Sequence, residues 1–309
     1  MKPVIFIFGP TASGKTGLSL ALAHRFDGEI IGADSMQIYR KMDIGTAKAS
    51  AEERAAIPHH LIDICDFDEP YSVAQYRKDA LRAIRDIHKR NKLPIVVGGT
   101  GLYFDALLYE PSYGNVQAQP ELRDELKARI KAEGSIALHR ELETIDPVTA
   151  GRIHVNDEKR MIRALEIYHS TGKIPSVAQT RKKNEEFSFL SFFLNYSDRQ
   201  KLYEACDRRV DEMIADGLLD EVKRLLDDGL AESPTASQAI GYKELINYYG
   251  ENATLGDSVE LIKRRTRNYA KRQITWFSKS DAILLCSEDT AKFSLAVEHT
   301  LAFLKGVLC

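Results

Sequence analysis

The sequence predicts an α/β fold: a parallel sheet with helices on both faces, interrupted by an inserted all-helical subdomain. Three observations lead there. Short β-branched and aromatic runs alternate with helical periodicities in the first hundred residues, the pattern of a parallel sheet whose crossovers are helices. After a Pro-, Gly-, Asn- and Gln-rich stretch, "YEPSYGNVQAQP", only helix signals follow for about seventy residues. Strand composition then returns at "FSFLSFFLNYSD".

Taken in order, "VIFIF" reads as a strand, "GPTASGKT" as a loop, and "TGLSLALAHRF" as a helix with Leu18 and Leu22 at helical spacing. A second strand, "EIIGADS", ends at Asp34, and a third is expected around "HLIDIC". Val73, Tyr76, Ala80, Ile84 and Ile87 share one helix face ahead of a fourth strand, "LPIVVGGTG". The expected boundaries are 1–111 for the first part of the core, 112–184 for the inserted helices, and 185–309 for the return. Within the insertion, "ELRDELKARIKAE", "IALHRELETI" and "NDEKRMIRALEIYHSTG" read as helices, the last capped by Asn156 or Asp157 and stopped by Gly172. A last strand, "AILLC", and a closing helix complete the chain.

Composition excludes some classes of protein. Hydrophobic residues make up 44% and charged residues 28%, values of an ordinary globular chain, and no apolar run is long enough to span a membrane. A cytoplasmic monomer without an obligate protein partner is the expectation. Cys65, Cys206, Cys286 and Cys309 show neither zinc nor disulfide spacing. The net charge of −2 means that any nucleic-acid surface must come from local clustering.

The chemistry begins at residues 9–16. Gly9, Gly14, Lys15 and Thr16 satisfy G-x-x-x-x-G-K-[ST] between a strand and a helix, which makes the core P-loop NTPase-like. Glycines let backbone N–H groups wrap an anion, the helix start adds positive potential, Lys15 adds a charge, and the Thr16 hydroxyl can hold Mg²⁺. This establishes a polyphosphate site without naming the rest of the molecule; ATP is the commonest tenant. The most apolar later strand ends in Gly98, Gly99 and Thr100 rather than in a metal-holding acid, which weakens the hydrolase reading, although "LIDICD" could still supply an acid. Asp34, just past a strand, is either a cap of the following turn or a general base. His59 and His60 read as structural rather than as metal ligands.

Seven ordered motifs, "GPTASGKT", "DSMQIYR", "DIGTAK", "PHHLID", "VGGTGLY", "NDEKRMIRALE" and "QAIGYKE", resemble the bacterial tRNA dimethylallyltransferase (tRNA isopentenyltransferase) family over nearly the whole chain. The resemblance implies transfer of a dimethylallyl group from dimethylallyl diphosphate, with Mg²⁺, to the adenosine beside the anticodon of tRNA. It implies that Gly9, Pro10, Thr11, Ala12, Ser13, Gly14, Lys15, Thr16 and Arg209 hold the diphosphate, Thr16 through the metal. Asp34 becomes the general base, and Thr100 lies at the reaction centre.

The same resemblance assigns tRNA contact to Asp34, Ser35, Met36 and Gln37, to Arg123, and to Lys159, Arg160 and Arg163. The helix bearing the last three equally suits a core stripe through Met161, Ile162 and Leu165. Near the C-terminus, "LIKRRTRNYAKRQITWFSK" carries Lys263, Arg264, Arg265, Arg267, Lys271, Arg272 and Lys279 with no acid, and Tyr269, Trp276 and Phe277 interleave. RNA-backbone contact is expected there, at Lys263, Arg264 and Arg267 in particular. The rival readings are a small-molecule kinase, a prenyltransferase acting on a free nucleotide, and a non-catalytic RNA-binding protein.

Overall fold

The computed structural model describes residues 1–111, 119–178 and 182–308. Its first strand, β1 (Lys2–Phe8), is apolar from Pro3 onward because both of its faces are covered. Successive side chains of a strand point to opposite faces. Val4, Phe6 and Phe8 therefore join one core cluster, while Ile5 and Ile7 join another.

The chain continues through α1 (Lys15–Arg25), β2 (Gly28–Ala33), α2 (Ala51–Ala56), β3 (His59–His60), α3 (Val73–Lys89), β4 (Leu93–Gly98) and α4 (Gly101–Leu108). Next come the helices α5 (Pro120–Glu133), α6 (Ser135–Ile145), α7 (Pro147–Ala150), α8 (Glu158–Thr171) and α9 (Pro175–Ala178). The rest comprises β5 (Phe187–Asn195), α10 (Arg199–Ala215), α11 (Leu218–Asp227), α12 (Tyr242–Tyr249), α13 (Leu255–Phe277), β6 (Ile283–Cys286) and α14 (Lys292–Leu308).

Residues Met1–Leu108 and Glu185–Cys309 form one compact unit, and Tyr109–Asn184 a second. In the first, six strands run in the order β3-β2-β4-β1-β5-β6, each pair parallel. The helices α3 and α4, with Phe277 of α13, cover one face, and α1 and α14 the other. Register then positions the site: Phe8 pairs with Gly98 and Phe193, and Gly98 pairs with Ala33. The strand ends are level, so Gly9, Asp34 and Gly99 each stand one residue beyond the same edge of the sheet. Ligands of open parallel sheets bind beyond this carboxyl edge. A further core joins α10 to α13 and also takes Ile38, Tyr39 and Met42, which anchors the segment that follows Asp34.

The third strand is shorter than expected. Only His59 and His60 pair, because Leu61 and Asp63 take positive φ and turn the chain out of the ladder. The Asp63 carboxylate then accepts from Lys48 and Arg54, both at 2.5 Å, and so serves as a structural acid. His60 Nε2 lies 2.7 Å from Glu29, and His59 Nδ1 2.7 Å from the Ile57 carbonyl.

The second unit is built from α5 to α9 around Leu126, Leu138, Leu142, Met161, Ile162 and Leu165. Asp157 caps α8 by accepting from the Arg160 N–H, and Gly172 ends it with φ 67°. Most of the expected linker, 112–118, lies outside the described residues, as does Cys309. No helix among the described residues is long and apolar enough to cross a membrane.

Candidate active site

The anion loop follows β1 because the backbone there leaves no room for a side chain. A Cβ at Gly9 would lie 2.2 Å from the Leu194 carbonyl oxygen of the neighbouring strand. Gly14 then takes φ 83° and starts α1 without a side-chain cap, and α1 has no acid in its first turn. The first N–H groups of a helix have no intrahelical partner, so an uncapped start leaves donors that an anion could take. Ala12 also has positive φ, at 63°, and its carbonyl accepts from the Tyr196 hydroxyl at 2.9 Å. The Ser13 hydroxyl is buried with no hydrogen-bond partner among the described residues. Lys15 Nζ donates to the Pro10 carbonyl at 2.6 Å, folding the ammonium back over the loop, while Thr16 is exposed.

Three charged groups converge here. Burial, and after it Arg209, push the Lys15 ammonium down to about 7, with Asp34 working in the opposite direction. Arg209, on α10, is itself lowered by burial and supported by Asp34, and its Nε is enclosed without a partner. Its neighbour Arg208 is exposed. Burial also pushes the Cys206 thiol, one turn before Val210, up to about 11, which keeps it neutral. Half-buried Lys15 and Arg209 thus stand with the Asp34 carboxylate at the mouth of the loop.

Asp34 caps the turn that follows β2. Its Oδ1 accepts from the Met36 N–H at 2.9 Å, which fixes the turn and aims the carboxylate. Thr100 is tied to the same turn: its Oγ accepts from the Ser35 N–H at 3.0 Å, and its N–H donates to the Ala33 carbonyl at 3.1 Å. Asp34 also pushes the hydroxyls of Tyr103 and Tyr269 upward, after burial, and the Tyr269 hydroxyl interacts with the side chains of Thr100 and Gln273. Sequence reading missed Tyr269 as a site hydroxyl and missed Gln273 altogether. The available signal was a polar pair at i and i+4 inside the stripe made by Ala270, Ile274 and Phe277.

The residues expected to meet tRNA divide into paired and exposed groups. Gln37 turns inward, with Nε2 donating to the Thr46 and Ala47 carbonyls at 3.0 and 3.2 Å. Met36 packs against the α10–α13 core. In the second unit Arg123 and Arg163 both donate to Glu166, which is fully buried. Lys159 and Arg160 are exposed, the latter 3.4 Å from Asp157.

On α13 the absence of acids in the local sequence is misleading. Lys263 pairs with Asp211 at 2.7 Å, Arg267 with Asp207, and Arg265 with buried Glu244. Arg264 and Lys279 are exposed, Lys271 lies over the Tyr203 ring, and Arg272 over that of Tyr269. These four have no carboxylate partner among the described residues. Each phosphate contact adds about 0.7 to the salt slope for single strands. If tRNA lies on this helix, Arg264→Gln reduces the slope of log K against log salt by about that amount, whereas Lys263→Gln changes it little. Equal slopes in the two variants would contradict the division.

The family model described as IPP transferase matches residues 37–280. The chain is 48% identical over 309 residues to a tRNA dimethylallyltransferase of Caldanaerobacter subterraneus, covering 99% of this chain and 98% of that one. It is 42% identical over 308 residues to a tRNA dimethylallyltransferase of Geobacillus thermodenitrificans, again covering 99% and 98%. Among solved structures it resembles the tRNA isopentenylpyrophosphate transferase of Bacillus halodurans, with TM-score 0.71, 41% identity and coverage of 98% and 96%. It also resembles a eukaryotic dimethylallyltransferase described as acting on tRNA, with TM-score 0.84, 34% identity and coverage of 100% and 80%. The chain with this anion loop and these level strand ends belongs to the IPP transferase family.

Proposed function

We propose that this chain transfers a dimethylallyl group from dimethylallyl diphosphate to the exocyclic amine of the adenosine 3′-adjacent to the anticodon of tRNA, releasing diphosphate. The observation that carries this reading is the gathering of Lys15, Arg209, Asp34 and Thr100 beyond one edge of the sheet, in a chain whose near relatives are named for that reaction.

In the step, the bond between the allylic carbon and the diphosphate oxygen breaks and its electron pair leaves with the diphosphate. The new C–N bond forms, and the amine proton passes to Asp34. The leaving group gains charge as the bond breaks, so Lys15, Arg209 and the N–H groups of residues 13–16 do most of their work in the transition state. The adenine amine is a weak nucleophile until it loses its proton, which is the task of a positioned carboxylate. Thr100, tied to the Asp34 turn, orients the reacting groups. The target base leaves its stack to reach them, and exposed Lys159, Arg160 and Arg264 meet backbone phosphates of the anticodon stem-loop. With tRNA as substrate, the reaction belongs to the cytoplasm.

The donor set fits Mg²⁺. No cluster of three His, Cys, Asp or Glu side chains occurs among the described residues, but Mg²⁺ keeps several waters and takes few protein ligands beside substrate phosphates. The exposed Thr16 hydroxyl would hold it, and the ion would neutralise charge on the departing diphosphate.

Two outcomes follow. Pyrophosphate release from dimethylallyl diphosphate depends on tRNA, and ATP is not turned over; release without tRNA, or ATP hydrolysis, contradicts the proposal. In the ligand-free protein Lys15 is mostly neutral at pH 8, one unit above its value of about 7, whereas an anion favours its charged form. Inorganic pyrophosphate binding at pH 8 therefore draws in most of one proton, read by calorimetry in two buffers of different ionisation enthalpy. Affinity falls as pH rises above 7, and Lys15→Met removes the uptake. Equal uptake in parent and variant would contradict it.

A further inference from the structure

One side chain joins the anion loop to the strand end that carries Thr100. Gln273, on α13, is 4% exposed, and both ends of its amide are engaged. Its Oε1 accepts from the Thr11 N–H at 2.8 Å, and its Nε2 donates to the Gly99 carbonyl at 3.0 Å. Thr11 lies in the loop after β1 and Gly99 directly after β4, so the amide spans the ends of two neighbouring strands. The approach is close: a Cβ on Gly99 would lie 2.1 Å from Gln273 Nε2.

The helix that presents Gln273 is itself fixed against the same edge. Phe277 stacks on Phe8 with centroids 4.4 Å apart, and Trp276 lies so close over Gly101 that a Cβ there would be 2.4 Å from its ring. The adjacent loop includes Ala12 at positive φ, a conformation that costs a residue with a side chain and persists only when its surroundings hold it.

We propose that Gln273 is a positioning residue for the transfer reaction: its amide sets the spacing between the anion loop at Thr11 and the corner at Gly99 and Thr100. The donor held by the loop is thereby presented at a fixed distance from the acceptor beside Thr100. This rests on the reading of residues 9–16 as the diphosphate site. A misplacement of about 1 Å between reacting groups costs on the order of a hundredfold in rate, which is why a two-ended polar staple matters more here than its hydrogen bonds would elsewhere. A purely structural role, in which Gln273 only satisfies two buried backbone groups, predicts lower stability with unchanged kinetics.

The test uses the full-length protein and begins with inorganic pyrophosphate binding to the parent. Absence of binding overturns the reading of the loop, and this inference with it, before any variant is made. Gln273→Met keeps the length of the side chain and removes both hydrogen bonds. It is expected to weaken pyrophosphate binding about tenfold, as for loss of one or two such bonds. Its kcat is expected to fall about a hundredfold, with tRNA affinity within about twofold of the parent's.

Gly99→Ala, which displaces the same amide, is expected to give the same signature. The double variant should be no worse than the poorer single one, because both remove one shared contact. If Gln273→Met does not fold, Gly99→Ala carries the test alone. A folded variant with a lower Tm but pyrophosphate affinity and kcat within about twofold of the parent's overturns the proposal. So do fully additive effects in the double variant.

Discussion

Replacing Asp34 with alanine lowers the rate of dimethylallyl transfer about 10³-fold and leaves tRNA affinity within about twofold of the parent's, in the middle of the range for loss of a general base. Two features support the size of the effect. The carboxylate is held by the Met36 N–H rather than free to rotate, and the Thr100 hydroxyl is tied to the same turn. Because Asp34 also shapes that turn, the alanine variant alone does not separate chemistry from geometry. Asp34→Asn keeps an acceptor for Met36 while losing basicity, and it is expected to lose nearly as much activity. An asparagine variant within tenfold of the parent would mean that Asp34 acts through the turn and not as a base. Single-turnover transfer with saturating tRNA measures both.

Arg209→Met separates activity from stability. Arg209 is half-buried beside Lys15, which it pushes downward, and its enclosed Nε has no partner among the described residues. Enclosing such a charge is costly, and replacing it with an apolar side chain of similar length relieves the cost. The variant is therefore expected to melt no lower than the parent, while transfer falls about 10² to 10³-fold through loss of a donor aimed at the leaving group. It also lets the Lys15 ammonium return toward its ordinary range, so the proton uptake seen on pyrophosphate binding at pH 8 shrinks. A variant that unfolds early but turns over normally when folded would show that Arg209 is a structural residue. Calorimetry and pre-steady-state kinetics on one preparation give both readouts.

Those two residues also mark how far the sequence could be read. The sheet, the loop and Asp34 were legible because each rests on local rules: a two-sided strand must be apolar throughout, an anion loop needs glycine where a Cβ would strike the next strand, and an acid one residue past a strand faces the site. Arg209 needed the resemblance, since a helix arginine looks the same whether enclosed or exposed. The cations of α13 show the opposite failure. Their acids, Asp207, Asp211 and Glu244, lie on α10 and α12, far off in sequence, so a stretch without acids read as an open basic face although three of its charges are paired. Gln37 likewise turns inward to two carbonyls that only the folded loop brings near. The third strand shortened because Leu61 and Asp63 adopt positive φ, which the apolar pattern of "HLIDIC" did not signal. Gln273 was invisible for the same reason as the acids, since its partners Thr11 and Gly99 come from the other end of the chain.

The most direct measurement incubates the purified chain with Mg²⁺, dimethylallyl diphosphate and either unmodified tRNA or AMP, followed by mass analysis of the acceptor and of the nucleosides released from it. The expected result is the gain of one five-carbon unit per tRNA, carried by the adenosine 3′-adjacent to the anticodon, and no modified AMP. Unmodified tRNA, or prenylation of AMP in its place, would contradict it.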